Sequence, residues 1–310
     1  MPKILLLGIG YIGSALYDYL KNDYNVVSSD LEWYGNFVNP NNFKQDYYNL
    51  TTEFLSKFDV IILLSGHSSV KMCENNMLSA FKNNVRNFVD LLNRILPEQK
   101  LIYASSSSVY GNIDGLNVTE DCKEYVPNNY YDLTKAEIDS YAKLSNRQYF
   151  GLRFGTLNGP SPNTRIDLML NAMLTTALDE KEIRIFNAGI HRPILGIFDC
   201  CAAIRMIIEK GTFENRGIYN LASFNSTVDD IGNQMGQILN VPVKIIDEKP
   251  IIVENAKLQT KAYNFSISSE KFRKTFDFEF KDTVESITAA NLNVWDKVNK
   301  SKRNFAQIYY

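Results

Sequence analysis

Tyr131 and Lys135, within YDLTK, stand one helical turn apart, so on a helix their side chains share a face. A phenol titrates at about 10 and is a poor base at neutral pH, but an ammonium group beside it stabilises the phenolate and lowers that value. The serines at 105–108, in SSSSVYG, offer a hydroxyl that would hold a substrate alcohol against the phenolate. With a hydride acceptor alongside, these groups would oxidise a secondary alcohol. The spacing alone is not diagnostic, because Tyr17 and Lys21 repeat Tyr-x-x-x-Lys inside an early helix where a structural role is expected. Tyr131 differs in its company: a serine-rich strand end upstream and a glycine loop at the start of the chain.

That loop supplies the hydride acceptor. An apolar run, Ile4 to Leu7, reads as a buried strand and leads directly into Gly8, Gly10 and Gly13, a Gly-x-Gly-x-x-Gly pattern. The first glycine permits a tight turn, the second lets the backbone approach a pyrophosphate, and the third lets helix and strand pack closely. Tyr11 and Ile12 open the following helix, whose N–H groups and positive dipole end would face the phosphates. Asp30 closes the second strand and would accept hydrogen bonds from the adenosine ribose hydroxyls. Its charge would repel a 2′-phosphate, which favours NAD over NADP.

The elements needed to position these groups recur along the first half. Residues 57–66 read as another buried strand, 73–96 as one long helix with Met77, Phe81, Val85, Phe88 and Leu92 on its apolar side, and 101–104 as the next strand. A helix starting near Tyr130 and a strand at 150–153 follow, and Asp46 sits just after an expected third strand. Such alternation demands a doubly wound parallel α/β sheet, Rossmann-like, over residues 1–155. Residues 156–310, with helices expected at 168–178, 199–210 and 228–239, read as a smaller mixed α/β substrate domain. The boundary is expected to be interleaved, with later segments returning to the first domain.

Composition sets limits. With 310 residues, 45% hydrophobic, 22% charged and a net charge of −2, the chain is ordinary for a globular protein and gives no reason to expect nucleic acid or membrane as a partner. Cys73, Cys122, Cys200 and Cys201 lack metal-ligand spacing and there are two histidines, so no metal site is expected. Cys200 and Cys201 read as buried small hydrophobes. No signal peptide or membrane span is apparent, and a cytoplasmic location is the expectation.

Over nearly its whole length the chain resembles the extended short-chain dehydrogenase/reductases, in particular nucleotide-sugar epimerases and dehydratases. The resemblance rests on GIGYIG, Asp30, Asp46, LLSGHSSV, NNV at 83–85, SSSSVYG, YDLTK, RFGTLNGPSP, HRPILGIFD and YNLAS, in that order. It implies that Asp46 contacts the adenine, that Leu64, Ser65 and Gly66 line the cofactor, and that Asn83 hydrogen-bonds near it. Ser106 matches the catalytic Ser/Thr, with Ser107 beside the substrate. Tyr131 would be the base, and Lys135 would also bind the nicotinamide ribose. Arg192 would grip a substrate diphosphate, and His67 falls at a substrate-facing turn where a structural role is equally open. Dehydratases carry an Asp-Glu pair after the catalytic Ser/Thr, whereas this chain has Ser107 and Ser108. Simple redox at C4 therefore remains. Thr156 stands where many relatives carry a substrate-binding Asn, and Asn158 lies nearby but displaced.

The resemblance thus implies NAD-dependent oxidation of the C4 hydroxyl of a UDP- or GDP-hexose or heptose in surface-polysaccharide biosynthesis. Either the ketone is released, as by a 4-dehydrogenase, or the hydride returns, as in a 4-epimerase. The segment around RFGTLNGPSP departs from the pattern of a plain galactose enzyme. A homodimer or larger homo-oligomer is expected through the helices after Cys73 and Tyr130. The alternative is an NAD(H)-binding sensor or scaffold without turnover.

Overall fold

The computed structural model describes residues 1–111, 113, 115–123, 127–246 and 263–301; parts of the expected substrate domain lie outside the described residues. Six strands, β1 (Lys3–Leu7), β2 (Asn25–Ser29), β3 (Val60–Leu63), β4 (Lys100–Ser106), β5 (Gln148–Phe154) and β6 (Gly217–Leu221), form one parallel sheet in the order β6-β5-β4-β3-β1-β2. Helices α1 (Tyr11–Leu20), α2 (Asn87–Arg94), α3 (Tyr130–Leu144), α4 (Met169–Glu180), α5 (Ile197–Lys210), α6 (Val228–Leu239) and α7 (Val284–Val294) account for most of the rest.

Continuous apolar strands follow from burial on both faces. In β1, Ile4 and Leu6 pack with Leu16, Leu20, Ile204 and Ile207 under α1 and α5, whereas Leu5 and Leu7 pack with Val85, Phe88, Leu91 and Ile138 under α2 and α3. A third cluster, including Leu174, Ile194, Ile231 and Ile287, holds the second half together. Cys200 and Cys201 are buried in the first cluster, as expected of small hydrophobes. The chain leaves the sheet after β5 and returns through α5 and β6, so the two halves interleave. Between them, Thr156–Asn158, His191–Gly196 and Phe224–Thr227 form a three-stranded sheet beside the carboxyl ends of the main one.

Inside the main sheet sits a charged pair. Arg153 of β5 donates from Nε to Asp139 Oδ2 of α3 at 2.8 Å, and the Tyr103 hydroxyl of β4 donates to Asp139 Oδ1 at 3.0 Å. This pair ties the helix carrying Tyr131 and Lys135 to two strands.

Two elements differ from expectation. The third strand before Asp46 is reduced to a single bridge between Ser29 and Phe43, because the Asn- and Pro-rich segment turns on its own side chains (Asn36 Oδ1 accepts from the Val38 and Asn39 N–H groups) instead of extending. The long helix over 73–96 is broken. Helical residues Val70–Asn75 stop at Asn76, whose φ is −150° and whose Oδ1 accepts the Ser79 N–H at 2.9 Å. Met77–Ala80 follows, then a π-helical segment at Phe81–Arg86, before α2 begins. The apolar stripe consequently divides: Val85, Phe88 and Leu92 are buried, while Met77 and Phe81 are 52% and 47% exposed.

Candidate active site

The expected cofactor and catalytic groups gather at the carboxyl edge of the sheet, where the strand order reverses around β1. Gly8 follows β1 with φ +103°, and a Cβ there would lie 2.6 Å from the Ser65 nitrogen. A Cβ on Gly13 would lie 1.9 Å from the Gly8 carbonyl oxygen, so α1 can approach the strand ends only without side chains at these positions. No side-chain hydrogen bond caps α1 at Gly10, and the residues of its first turn line the cavity, an arrangement suited to an anionic group.

That cavity is lined by Gly8, Gly10, Tyr11, Ile12, Gly13, Asp30, Asp46, Leu64, Ser65, Gly66 and Asn83, together with Trp33, Tyr34 and Tyr47. The expected cofactor residues outside α3 are therefore gathered in one place. Asp30 accepts the Ile9 N–H at 2.9 Å through Oδ2 and the Glu32 N–H at 2.5 Å through Oδ1, so it also fixes the glycine loop. The Asp30 carboxylate, which lines this cavity, suits ribose hydroxyls and opposes a phosphate. A dinucleotide with an unphosphorylated ribose fits these residues.

The second cavity, about 1070 Å³, is of the size that holds a large ligand. It shares Tyr11, Ile12, Leu64, Ser65 and Gly66 with the first, and Ser106, Ser107, Tyr131, Lys135, Thr156 and Arg192 line it. Tyr131 and Lys135 share one face of α3, as their spacing predicts. Lys135 Nζ lies 5.8 Å from the Tyr131 ring centroid and donates to the Ala104 carbonyl at 2.6 Å. Burial pushes Lys135 down to about 8. Burial likewise pushes the Tyr131 phenol up to about 12, with Ser106 and Arg165 acting in the other direction. The expected depression of the phenol by Lys135 is thus not what this geometry produces; desolvation is the larger effect. Ser106 Oγ accepts the Ser108 N–H at 3.2 Å and shares a 2.8 Å hydrogen bond with Ser108 Oγ.

One expectation on the substrate side is corrected. Asn158 is fully buried; its Nδ2 donates to the Thr156 carbonyl at 2.9 Å and its Oδ1 accepts the Leu170 N–H at 2.9 Å. It starts α4 and does not line the cleft. His67, 4% exposed, borders the cleft, but its ring nitrogens are hydrogen-bonded to Ser79 and Asn83, both at 3.1 Å, and burial pushes its pKa down. Of the two roles open to it, these contacts match the structural one. Arg192 remains in the cleft, with NH1 donating to the Tyr263 carbonyl at 3.4 Å.

Three residues escaped the sequence analysis. Arg165 borders both cavities, donating to Asp167 at 3.1 and 2.6 Å; a cation closing the Pro-rich loop after β5 was the available signal. Asn84 pins the turn after β3, accepting the His67 N–H at 2.8 Å and donating to Thr134 at 3.1 Å. Asp132, next to Tyr131, is fully buried and borders the cleft.

A model described as the NAD dependent epimerase/dehydratase family matches residues 4–222. The chain is 28% identical over 241 residues to Protein CapI of Staphylococcus aureus, spanning 69% of this chain and 71% of that one. It is similar in structure to MoeE5 in complex with UDP-glucuronic acid and NAD, with TM-score 0.79, 18% identity and coverage of 95% of this chain and 99% of the other. A UDP-glucuronic acid 4-epimerase from Bacillus cereus, in complex with UDP-glucuronic acid and NAD, matches with TM-score 0.78 and 20% identity over 95% and 99% of the two chains. At these identities the structural likeness establishes the fold.

Proposed function

Because this chain belongs to the NAD dependent epimerase/dehydratase family, we propose that it is a nucleotide-sugar 4-epimerase. In this reading it oxidises the C4 hydroxyl of a nucleotide-activated hexose and returns the hydride to the other face of the ketone. NAD is its cofactor, held by the glycine loop and Asp30 as described. The observation that carries the reading is the placement of Ser106, Tyr131 and Lys135 where the dinucleotide cavity opens into the large cleft.

NAD supplies hydride acceptance and return. Ser106 holds the C4 oxygen, Tyr131 exchanges the hydroxyl proton, and the Lys135 charge favours negative charge developing at that oxygen. Ser107 and Thr156 offer hydroxyls to the sugar, and Arg192 a guanidinium to the diphosphate. UDP-glucuronic acid is the first sugar nucleotide to test, since two similar structures hold it. A role in surface-polysaccharide biosynthesis and the division into parts at 1–155 and 156–310 belong to the same reading. So does a homodimer, for which the exposed Met77, Leu78, Phe81, Leu133, Tyr141 and Leu144 offer an apolar face.

The test is NMR of UDP-glucuronic acid, UDP-glucose and the corresponding GDP-hexoses after incubation with protein and NAD. An epimer at C4 supports the reading. A released 4-keto sugar makes the protein a 4-dehydrogenase, and no conversion of any sugar leaves the NAD(H)-sensor reading.

A further inference from the structure

The helix that carries Tyr131 and the strand that carries Arg192 meet at two consecutive residues from the far end of the chain. Tyr263 lines the cleft, partly buried against the cluster that contains Val109, Tyr110 and Phe265. Its hydroxyl donates to Asp132 Oδ2 and accepts from Asn129 Nδ2 at 2.9 Å, and Asn129 Nδ2 also donates to Asp132 Oδ2 at 2.7 Å. These three side chains close a ring of hydrogen bonds over the first turn of α3, where Tyr131 comes two residues after Asn129 and directly before Asp132. The same segment also reaches the strand His191–Gly196. The Tyr263 carbonyl accepts from Arg192 Nη1 at 3.4 Å, and Asn264 Oδ1 accepts the His191 N–H at 2.8 Å.

We propose that Tyr263 is a positioning residue of this site, one that fixes the span between Tyr131 and Arg192; this rests on the 4-epimerase reading. Removing hydride from one face of C4 and returning it to the other brings the C4 oxygen to Tyr131 twice, while the diphosphate stays with Arg192. Base and anchor stand on different elements, so their separation must be held by something that touches both. Tyr263 does so, with its hydroxyl on α3 and its carbonyl on Arg192. Every proton in the ring is assigned, since Asn129 Nδ2 uses both of its hydrogens and the phenol its one, which leaves the ring little freedom to slide. Asp132 exposes none of its surface, so a carboxyl that lost the phenol would have to shift to find another donor, and the first turn of α3 would shift with it.

The ring is not needed to start the helix. Asn129 Oδ1 caps α3 by accepting the Asp132 N–H at 2.9 Å, a bond that a Ser cap would also make. Nor is the phenol hydroxyl needed to seat its own segment, because Phe265–Ile267 pairs in parallel with Gly115–Val118 and Asn264 holds the His191 backbone. What the hydroxyl adds is the link from that seated segment to the turn bearing Tyr131. A side chain that only filled space would be replaced by Phe without loss, and one that only bound substrate would alter KM. One that sets where Tyr131 stands alters the hydride step.

The experiment measures steady-state conversion of UDP-glucuronic acid, or of whichever sugar nucleotide wild type converts, with hydrogen or deuterium at C4. Y263F keeps the ring and loses the hydroxyl, whereas N129S keeps a cap and loses both Nδ2 bonds. Each should lower kcat by ~10-fold with KM changed less than about twofold, and each should turn over the deuterated sugar more slowly than the ordinary one. Combining Y263F with R192K should cost less in kcat/KM than the two single losses multiplied, because both loosen the same span. Wild-type kcat in Y263F and N129S overturns the assignment, as does a change confined to KM or to melting temperature, or a lowered kcat without a deuterium effect. Losses that multiply in full overturn the link to Arg192. If Y263F fails to fold, N129S alone and combined with R192K decides. A wild type that converts no sugar nucleotide overturns the 4-epimerase reading itself, before any variant is compared, and the assignment with it.

Discussion

The Lys135 ammonium stands 5.8 Å from the centre of the Tyr131 ring, one turn further along α3, and is anchored by donation to the Ala104 carbonyl of β4 at 2.6 Å. The lysine is thus tied to the strand that ends in Ser106, and strand and helix present their groups to one opening. Replacing Tyr131 by Phe removes the proton-passing hydroxyl and keeps the ring. Turnover should fall by ~10²–10⁴-fold while NAD affinity and melting temperature stay near wild type. NMR of product formation with a parallel NAD titration checks this; retained turnover would place the proton chemistry elsewhere.

Asp30 has two tasks, since it faces the dinucleotide cavity and fixes the Ile9 N–H at 2.9 Å. In D30N the amide can keep one backbone contact but loses the charge. NAD affinity should drop by about tenfold, the effect of roughly 1.4 kcal/mol, while discrimination against NADP shrinks. Calorimetric titration with both nucleotides gives the ratio directly. An unchanged NAD:NADP preference would remove Asp30 from that role.

What could be read from the residues alone was the part whose geometry leaves few choices. A strand, three glycines, a helix and an acidic strand end allow one arrangement, and Tyr131 with Lys135 needed only helical spacing. The helix break at Asn76 was hidden because apolar residues continue at helical period through it, and only side-chain capping by Asn76 interrupts the ladder. Asn158 looked available for substrate because its burial depends on α4, which is distant in kind from the motif. Asp132 reads in sequence as an ordinary acidic residue in the first turn of a helix. Its enclosure by Ser108 and Tyr263 depends on segments far away in the chain.

The Arg153–Asp139 pair is almost wholly buried, with both side chains 1–2% exposed. R153M would leave Asp139 buried with only its Tyr103 bond among the contacts described above. Stability should fall by about 3–5 kcal/mol, read as a lower urea midpoint with an unchanged slope. Because the pair anchors α3, activity should fall as well. A loss below about 1 kcal/mol would mean that the pair is readily replaced by packing.

Lys100 is buried in β4, donating to the Ile207 and Ile208 carbonyls at 2.8 and 2.7 Å, and burial pushes it down to about 8. An unfolded lysine titrates at about 10.4, so between these values the unfolded chain holds a proton that the folded chain has lost. Stability contributed by this group therefore rises with pH from about 8 to about 10.4. K100M lacks that contribution, and the unfolding free-energy gap between wild type and K100M should widen in favour of wild type across this window. The buried cysteines, whose thiols are pushed up, act in the opposite sense in both proteins and cancel in the difference. A gap independent of pH would contradict the assignment.

The most direct test of the account uses UDP-glucuronic acid carrying deuterium at C4, with the product examined by NMR and mass spectrometry. If that sugar is not converted, the labelled form of whichever sugar nucleotide is converted takes its place. Hydride removal and return within one site predicts a C4 epimer of unchanged mass that retains the deuterium at C4. A ketone lacking the deuterium, with label found on NADH, would contradict the 4-epimerase reading, as would the absence of any conversion.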